Sequence, residues 1–315
     1  MSSEPFQSHS KAVVVTGGLG FIGGHLVAHL LKTGIRDIRV IDNRRRAVFA
    51  LESWPNSRVK LFESDIRELS ALVAAMQGAE HIFHLAAQSN VLGSIHDPDY
   101  TFTTNVIGTI NVLEAARVTG VKRIVFTSSR EVYGSCDRTP TKETAPLRPK
   151  NPYGASKAAA EMYCLMVGGA GDSEVCILRL ANVYGPWDKD RVVPLFIRAA
   201  LDGEPLVLFG GDQVVDFIWI DRVVDALMRI GFGEYIPGPM NIGSGVGITI
   251  AELANRVLRL AGSKCGSVRQ PPRSAEVSCF VADVHGARQL IGFPTIIDSL
   301  DHLPQLVKWF HLDYA

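Results

Sequence analysis

Apolar residues in this chain follow two alternating rhythms. Short continuous runs occupy Lys11–Thr16, Ile38–Asp42, Val59–Phe62, His81–Leu85, Arg123–Ser128 and Glu174–Arg179. Between them apolar positions recur at three- and four-residue spacing. Phe21, Ile22, Leu26, Leu30 and Leu31 form one such stripe across Gly20–Thr33. The first rhythm suits strands buried on both faces, and the second suits helices laid against them. Their alternation predicts right-handed βαβ units and an α/β fold with a Rossmann-type doubly wound parallel sheet. After about Leu180 the pattern loosens, where Pro186, Pro194, Pro205, Pro237, Pro239, Pro271 and Pro272 cut the chain into shorter pieces. Helices are predicted there at Val193–Leu201, Asp221–Ile230, Thr249–Ala261 and Ser299–Phe310. The organisation expected is a Rossmann domain over 1–180, to which segments at about 212–243 return, and a smaller C-terminal α/β lobe over 181–315. Ligands of open α/β sheets lie at the carboxyl ends of the strands, so the smaller lobe is expected to close over them.

Composition narrows the class. The chain has 315 residues, 47% hydrophobic and 20% charged, and its 32 Lys+Arg balance 32 Asp+Glu. A chain of this length buries enough surface to need no disulfide or metal staple. Zero net charge argues against a nucleic-acid partner and against lysine-driven membrane binding. No apolar run reaches the roughly 18 residues of a membrane span. Met1–Ser10 is polar and reads as a short flexible lead-in rather than a signal peptide. Cys136, Cys164, Cys176, Cys265 and Cys279 are scattered, odd in number and without a C-x-x-C pair. No metal site and no disulfide framework is expected, and the cytoplasm is the default compartment.

Two motifs carry chemistry. Thr16–Gly24 reads G-x-x-G-x-x-G on Gly17, Gly20 and Gly23, after the first predicted strand and at the start of the first helix. Glycines there permit a tight turn and bring backbone amides and a helix N-terminus to a pyrophosphate. Asp42 ends the second strand, 19 residues after Gly23, where an acid accepts bonds from a ribose. That favours NAD over NADP, although Arg44-Arg45-Arg46 could grip a 2′-phosphate or be a solvated loop. Asp65 and Ile66 are placed to meet an adenine, and Asp65 could equally cap a helix. The second motif is Tyr153-x-x-x-Lys157, which puts phenol and ammonium on one helix face. A phenol with ordinary pKa near 10 is expected to become a usable base beside an ammonium and an oxidised nicotinamide.

With these motifs the chain resembles the extended short-chain dehydrogenases/reductases, in their NAD-dependent nucleotide-sugar epimerase/dehydratase family of UDP-glucose 4-epimerase-like type. Further matching pieces are His84–Gln88, Asn105–Thr109, Ser128–Gly134, Arg179–Pro186, Asp216–Asp221, Asn241–Gly243 and Pro272-Arg273. The resemblance implies NAD contacts from Gly17, Gly20, Phe21, Ile22, Gly23, Asp42, Asn43, Asp65, Ile66, Leu85, Ala86, Ala87, Asn105, Tyr153 and Lys157. It implies catalysis by Tyr153 with Ser129 and Lys157. Substrate contacts fall on Gln88, Ser129, Arg130, Asn182, Arg191, Val192 and Arg273, with Arg273 clamping a diphosphate. Helices at Thr101–Val118 and Tyr153–Val167 are those through which such proteins pair, so a homodimer is expected.

Two departures bear on the reaction. Val215 stands where many members carry an arginine. Arg130-Glu131 stands where resembling dehydratases carry Asp-Glu, and a guanidinium cannot serve as the acid. The reaction expected is C4 epimerisation of a nucleotide-sugar, UDP-sugars favoured, through a 4-keto intermediate. The alternatives are a dehydratase with Glu131 as C5 base, or an epimerase or decarboxylase of a nucleotide-linked uronate held by Arg130 or Arg191. Glu131 has a structural alternative as a carboxylate paired with Arg130. A non-catalytic NAD-binding regulator is the remaining possibility, since fold does not fix function.

Overall fold

A computed structural model describes residues 12–313 except positions 56, 137 and 172. Lys11 and the Met1–Ser10 segment lie outside the described residues. The six apolar runs form strands β1 (Ala12–Thr16), β2 (Ile38–Asp42), β3 (Val59–Glu63), β4 (Ala79–His84), β5 (Arg123–Ser129) and β6 (Glu174–Leu180). All are parallel, in the order β3-β2-β1-β4-β5-β6, and Gly238–Ile242 adds a seventh parallel strand outside β6. Strand β1 is buried throughout. Val13 and Val15 face one apolar cluster, and Ala12 and Val14 face another. The order reverses between β1 and β4, which opens a crevice at the carboxyl ends of those strands.

The later segments depart from the expected division. Val214–Trp219 pairs with Asn182–Tyr184, Gly247–Thr249 and Cys279–Phe280 in a separate small sheet. Only from Ile220 does the chain return: helix Ile220–Phe232 lies against β4, β5 and the first helix, Phe21–Lys32, and Gly238–Ile242 joins the large sheet. The returning part of 212–243 is therefore shorter than expected. Pro239 is tolerated because its strand is at the sheet edge. Leu206–Phe209 and Ser267–Gln270 form a further parallel pair. One apolar cluster runs from Val13 in β1 through Phe217 and Leu253 to Phe310, so both lobes share a core.

Most helices match their predicted spans to within two residues. The stretch Thr101–Val118 lies in a long helix that is not uniform: Pro98–Phe102 and Gly108–Thr119 are α-helical and run on through a wider π-type segment at Thr103–Ile107. The last helix begins at Leu303 rather than Ser299.

Helix Pro152–Ala170 carries the Tyr-x-x-x-Lys motif. It opens on Asn151, whose Oδ1 accepts the Gly154 N–H at 2.8 Å, with Pro152 at the first helical position, where its missing N–H costs nothing. Tyr153, Lys157 and Glu161 lie four residues apart on its buried face. Glu161 is completely buried and pairs with Arg179 of β6 at 2.6 Å. Arg179 also donates to the Tyr133 hydroxyl at 2.9 Å, and that hydroxyl donates to Asn241 at 2.7 Å. Replacing one partner of such a pair strands the other charge, so Glu161→Leu should cost about 3–5 kcal/mol of stability in urea unfolding. A loss under about 1 kcal/mol would contradict this role.

Candidate active site

The crevice opens into a cleft of about 940 Å³ lined by both lobes. Its floor is the glycine turn. Gly17 has φ +70°, and a Cβ there would stand 2.8 Å from the Ala86 nitrogen. A Cβ on Gly23 would stand 2.1 Å from the Gly17 carbonyl oxygen. The turn is thus closed by backbone against backbone. The helix that follows has no side-chain cap and no acid in its first turn, so its first N–H groups have no internal anion. This cradle fits a dinucleotide pyrophosphate.

Asp42 lines the cleft, with its oxygens accepting the Leu19 N–H at 3.0 Å and the Arg44 N–H at 2.8 Å. Burial raises its carboxyl above the ordinary range, against these two bonds. Asp65 is not a helix cap, since the helix begins at Leu69. It accepts from Asn43 and Arg67, which outweigh the upward pull of partial burial and hold its carboxyl low. The three arginines are all engaged: Arg44 pairs with Glu63 at 2.8 Å, Arg45 stacks 3.8 Å above Tyr100, and Arg46 meets Asp190 at 2.5 Å. The run is an exposed loop, as the solvated-loop alternative expects, with its charges engaged at the surface.

Behind the turn, a chain of bonds fixes the β4 terminus. Thr109 must donate to the Asn105 carbonyl at 2.6 Å, so its oxygen accepts from His84 Nε2 at 3.0 Å. His84 Nδ1 then accepts the Thr16 hydroxyl at 2.7 Å, and the Thr16 oxygen accepts the Ala86 N–H at 3.2 Å. Burial, helped by Lys157, pushes His84 down to about 3, so the ring is neutral and the tautomer is set.

Lys157 is buried, donates to the Thr127 carbonyl at 2.8 Å, and is pushed down by burial to about 8. Tyr153 lines the cleft with Ser129, and its backbone N–H is held by Ser94 Oγ at 3.1 Å. Burial raises this phenol, outweighing Ser129 and the cations Arg191 and Arg130, so the lowering expected from an ammonium and an oxidised nicotinamide together has to work against desolvation. Desolvation thus drives Tyr153 and Lys157 toward their neutral forms.

Glu131 is buried, with Oε1 paired to Arg130 at 2.9 Å and Oε2 accepting from Asn151 at 2.8 Å. The paired-carboxylate alternative is therefore what is observed. Asn182, Val192, Arg191 and Arg273 all line the cleft. Arg191 pairs with Asp188 at 2.9 Å, and Arg273 stacks 3.6 Å over Phe209. Thr104 Oγ1, Ser128 Oγ, Arg130 Nη1 and Asp188 Oδ2, all on cleft-lining residues, are buried without a hydrogen-bond partner.

One expected contact is misplaced. Asn105 does not line the cleft. The π-type turn buries it, and its amide is spent on the Gln88 backbone at 2.8 and 3.0 Å and on Ser156 at 2.9 Å. It braces Gln88 from behind. The sequence reading missed Ser94 and the loop at Trp187, which holds φ +69° with its ring between Phe49 and Trp309. Nothing local marks either of them. Among the described residues no cluster of His, Cys, Asp or Glu could hold a metal.

A doubly wound sheet with a glycine cradle at its switch point and a Ser, Tyr and Lys set beside it defines a dinucleotide-dependent enzyme of Rossmann type. The NAD dependent epimerase/dehydratase family matches residues 13–243. The chain is 34% identical over 306 residues to the UDP-glucose 4-epimerase of Mycolicibacterium smegmatis, covering 94% of this chain and 97% of that one. It is 32% identical over 309 residues to UDP-glucuronic acid decarboxylase 2 of Arabidopsis thaliana, covering 95% of this chain and 68% of that one. The crystal structure of the Thermus thermophilus UDP-glucose 4-epimerase complexed with NAD superposes with a TM-score of 0.87 at 32% identity, over 95% of this chain and 99% of that one. The chain belongs to the NAD-dependent epimerase/dehydratase family and is an enzyme of that family.

Two outcomes follow from the geometry. Gly23→Ala should abolish NAD retention while the protein stays folded, measured as nucleotide released on denaturation. Lys157 keeps its proton below about pH 8 and loses it above, so kcat/KM should fall on the alkaline side from about that pH. A flat profile to pH 10, about two units beyond, would remove the ammonium from the mechanism.

Proposed function

We propose that this enzyme is an NAD-dependent nucleotide-sugar 4-epimerase with UDP-sugars as preferred substrates. The observation that carries the reading is the gathering of Ser129, Tyr153 and Lys157 at the cleft, Tyr153 and Lys157 on one helix face, next to an Arg130 that cannot act as an acid. Backbone amides around Gly17, Gly20, Phe21, Ile22 and Gly23 would hold the pyrophosphate of NAD. Asp42 and Asn43 would meet the adenosine ribose, Asp65 and Ile66 the adenine, and Leu85, Ala86 and Ala87 the path to the nicotinamide. Lys157 would hold the second ribose. Asp42 would repel a 2′-phosphate, which favours NAD. Gln88, Asn182, Arg191, Val192 and Arg273 would receive the nucleotide-sugar, the arginines taking its diphosphate.

Bound NAD supplies a hydride acceptor and donor and, when oxidised, a positive charge beside the phenol. Tyr153 takes the proton of the sugar 4-hydroxyl, and Ser129 orients that hydroxyl. The buried cleft keeps water from the 4-keto sugar while it presents its other face. Tyr153 then returns the proton to the inverted C4 oxygen.

A nucleotide-uronate is the second reading. The decarboxylase relative favours it, as does the unpartnered buried Nη1 of Arg130 beside Ser129. Exposed apolar side chains on the two long helices, including Phe102, Met162 and Met166, favour a homodimer through that face. All five cysteines are free and no described helix is long and apolar enough to cross a membrane, in keeping with a cytoplasmic enzyme.

Incubation of the wild type with UDP-, dTDP- and GDP-sugars in deuterated water separates these readings. A C4 epimer of unchanged mass without solvent label supports the proposal. Loss of water with label at C5 would make it a dehydratase, and loss of carbon dioxide a decarboxylase. Tyr153→Phe should lower kcat by about 10²–10⁴-fold with NAD still bound.

A further inference from the structure

We propose that Arg130 and Asn151 are positioning residues that hold Glu131 out of action as a base, so that the 4-keto sugar keeps the hydrogens flanking C4. This rests on the 4-epimerase reading and goes beyond it to what decides the outcome of the shared intermediate.

A ketone at C4 makes the adjacent C–H bonds at C3 and C5 acidic. A carboxylate near them can take the proton, the C–H electron pair passing into the carbonyl to give an enolate. The cleft contains such a carboxylate. Glu131 lies two residues after Ser129, its N–H donates to Ser129 Oγ at 3.2 Å, and its charge is felt by Tyr153. Yet each oxygen is committed, Oε1 to Arg130 at 2.9 Å and Oε2 to Asn151 at 2.8 Å. A carboxylate whose oxygens are engaged by a guanidinium and an amide is a poor proton acceptor and is fixed in direction.

Both clamps are themselves held. Asn151 caps the Tyr153 helix through Oδ1, and its Nδ2 also reaches the Ala275 carbonyl at 3.1 Å. Arg130 lies against the Phe280 ring, with its side chain only 12% exposed. The latch is therefore built into the same turn and helix cap that place Ser129 and Tyr153.

The test measures deuterium at C3 and C5 of recovered UDP-sugar during turnover in deuterated water with NAD present. Wild type should give the C4 epimer unlabelled. Arg130→Met should release one carboxylate oxygen and raise label per epimerisation by about 10²-fold, the low end of what a positioned base contributes. Arg130→Met/Glu131→Gln should return the label to the wild-type level, a reversal that a merely structural role would not give. Arg130→Ala, which also removes the donor to the carboxylate but adds no new bulk, gives the same readout should the methionine variant fail to fold. Wild-type epimerisation with no label from either folded Arg130 variant overturns the latch alone. Label or water loss in the wild type overturns both the latch and the 4-epimerase reading.

Discussion

The structure turns on a charge pair with almost no access to water. Glu161 and Arg179 join the middle of the Tyr153 helix to β6, and Arg179 reaches on through Tyr133 to Asn241 beside the seventh strand. Two charges taken out of water this far are tolerated only with their remaining hydrogen bonds satisfied, and here they are. One pair thereby fixes the helix in translation and rotation. The same face, four and eight residues back, delivers Lys157 and Tyr153 to the cleft. The precision of the catalytic end is set from a point about two helical turns below it.

At the cleft the dominant force is desolvation. It acts on Tyr153 and Lys157 in opposite chemical directions, keeping the phenol protonated and loosening the ammonium's proton, and both changes lead to neutrality. His84 follows the same rule and becomes a fixed neutral link between Thr16 and Thr109. The protein alone does not prepare a phenolate. It prepares buried catalytic side chains at which charge arriving with ligands is felt strongly, because burial weakens screening by solvent.

Much of this was legible in the sequence, and the rest was hidden for identifiable reasons. Strands β1, β2 and β4 to β6 are largely buried, so they are written as continuous apolar runs. Ser267–Gln270 is exposed at every residue and Cys279–Phe280 is two residues long, so neither leaves a periodic trace. Glycine turn, Asp42 and Tyr153-x-x-x-Lys157 are readable because their function depends on local spacing. Asn105 misled because its side-chain direction is set by a π-type turn that its motif does not encode. The Arg130–Glu131 pair is adjacent in sequence and could be weighed in advance, whereas Asn151 joins it from 20 residues away through the fold. The desolvation that raises Tyr153 was out of reach for the same reason: neighbours in sequence suggest charges, but only packing reveals burial.

The shared core has a consequence for ancestry. The chain leaves the large sheet after β6, builds the small sheet, and returns for a helix and an edge strand before leaving again. The apolar side chains of both lobes then pack as one body. The cofactor half is accordingly not a cassette that could be exchanged by recombination at a single junction. Diversification on such a scaffold is channelled into point changes on the turns that rim the cleft, among them the two-residue step after Ser129.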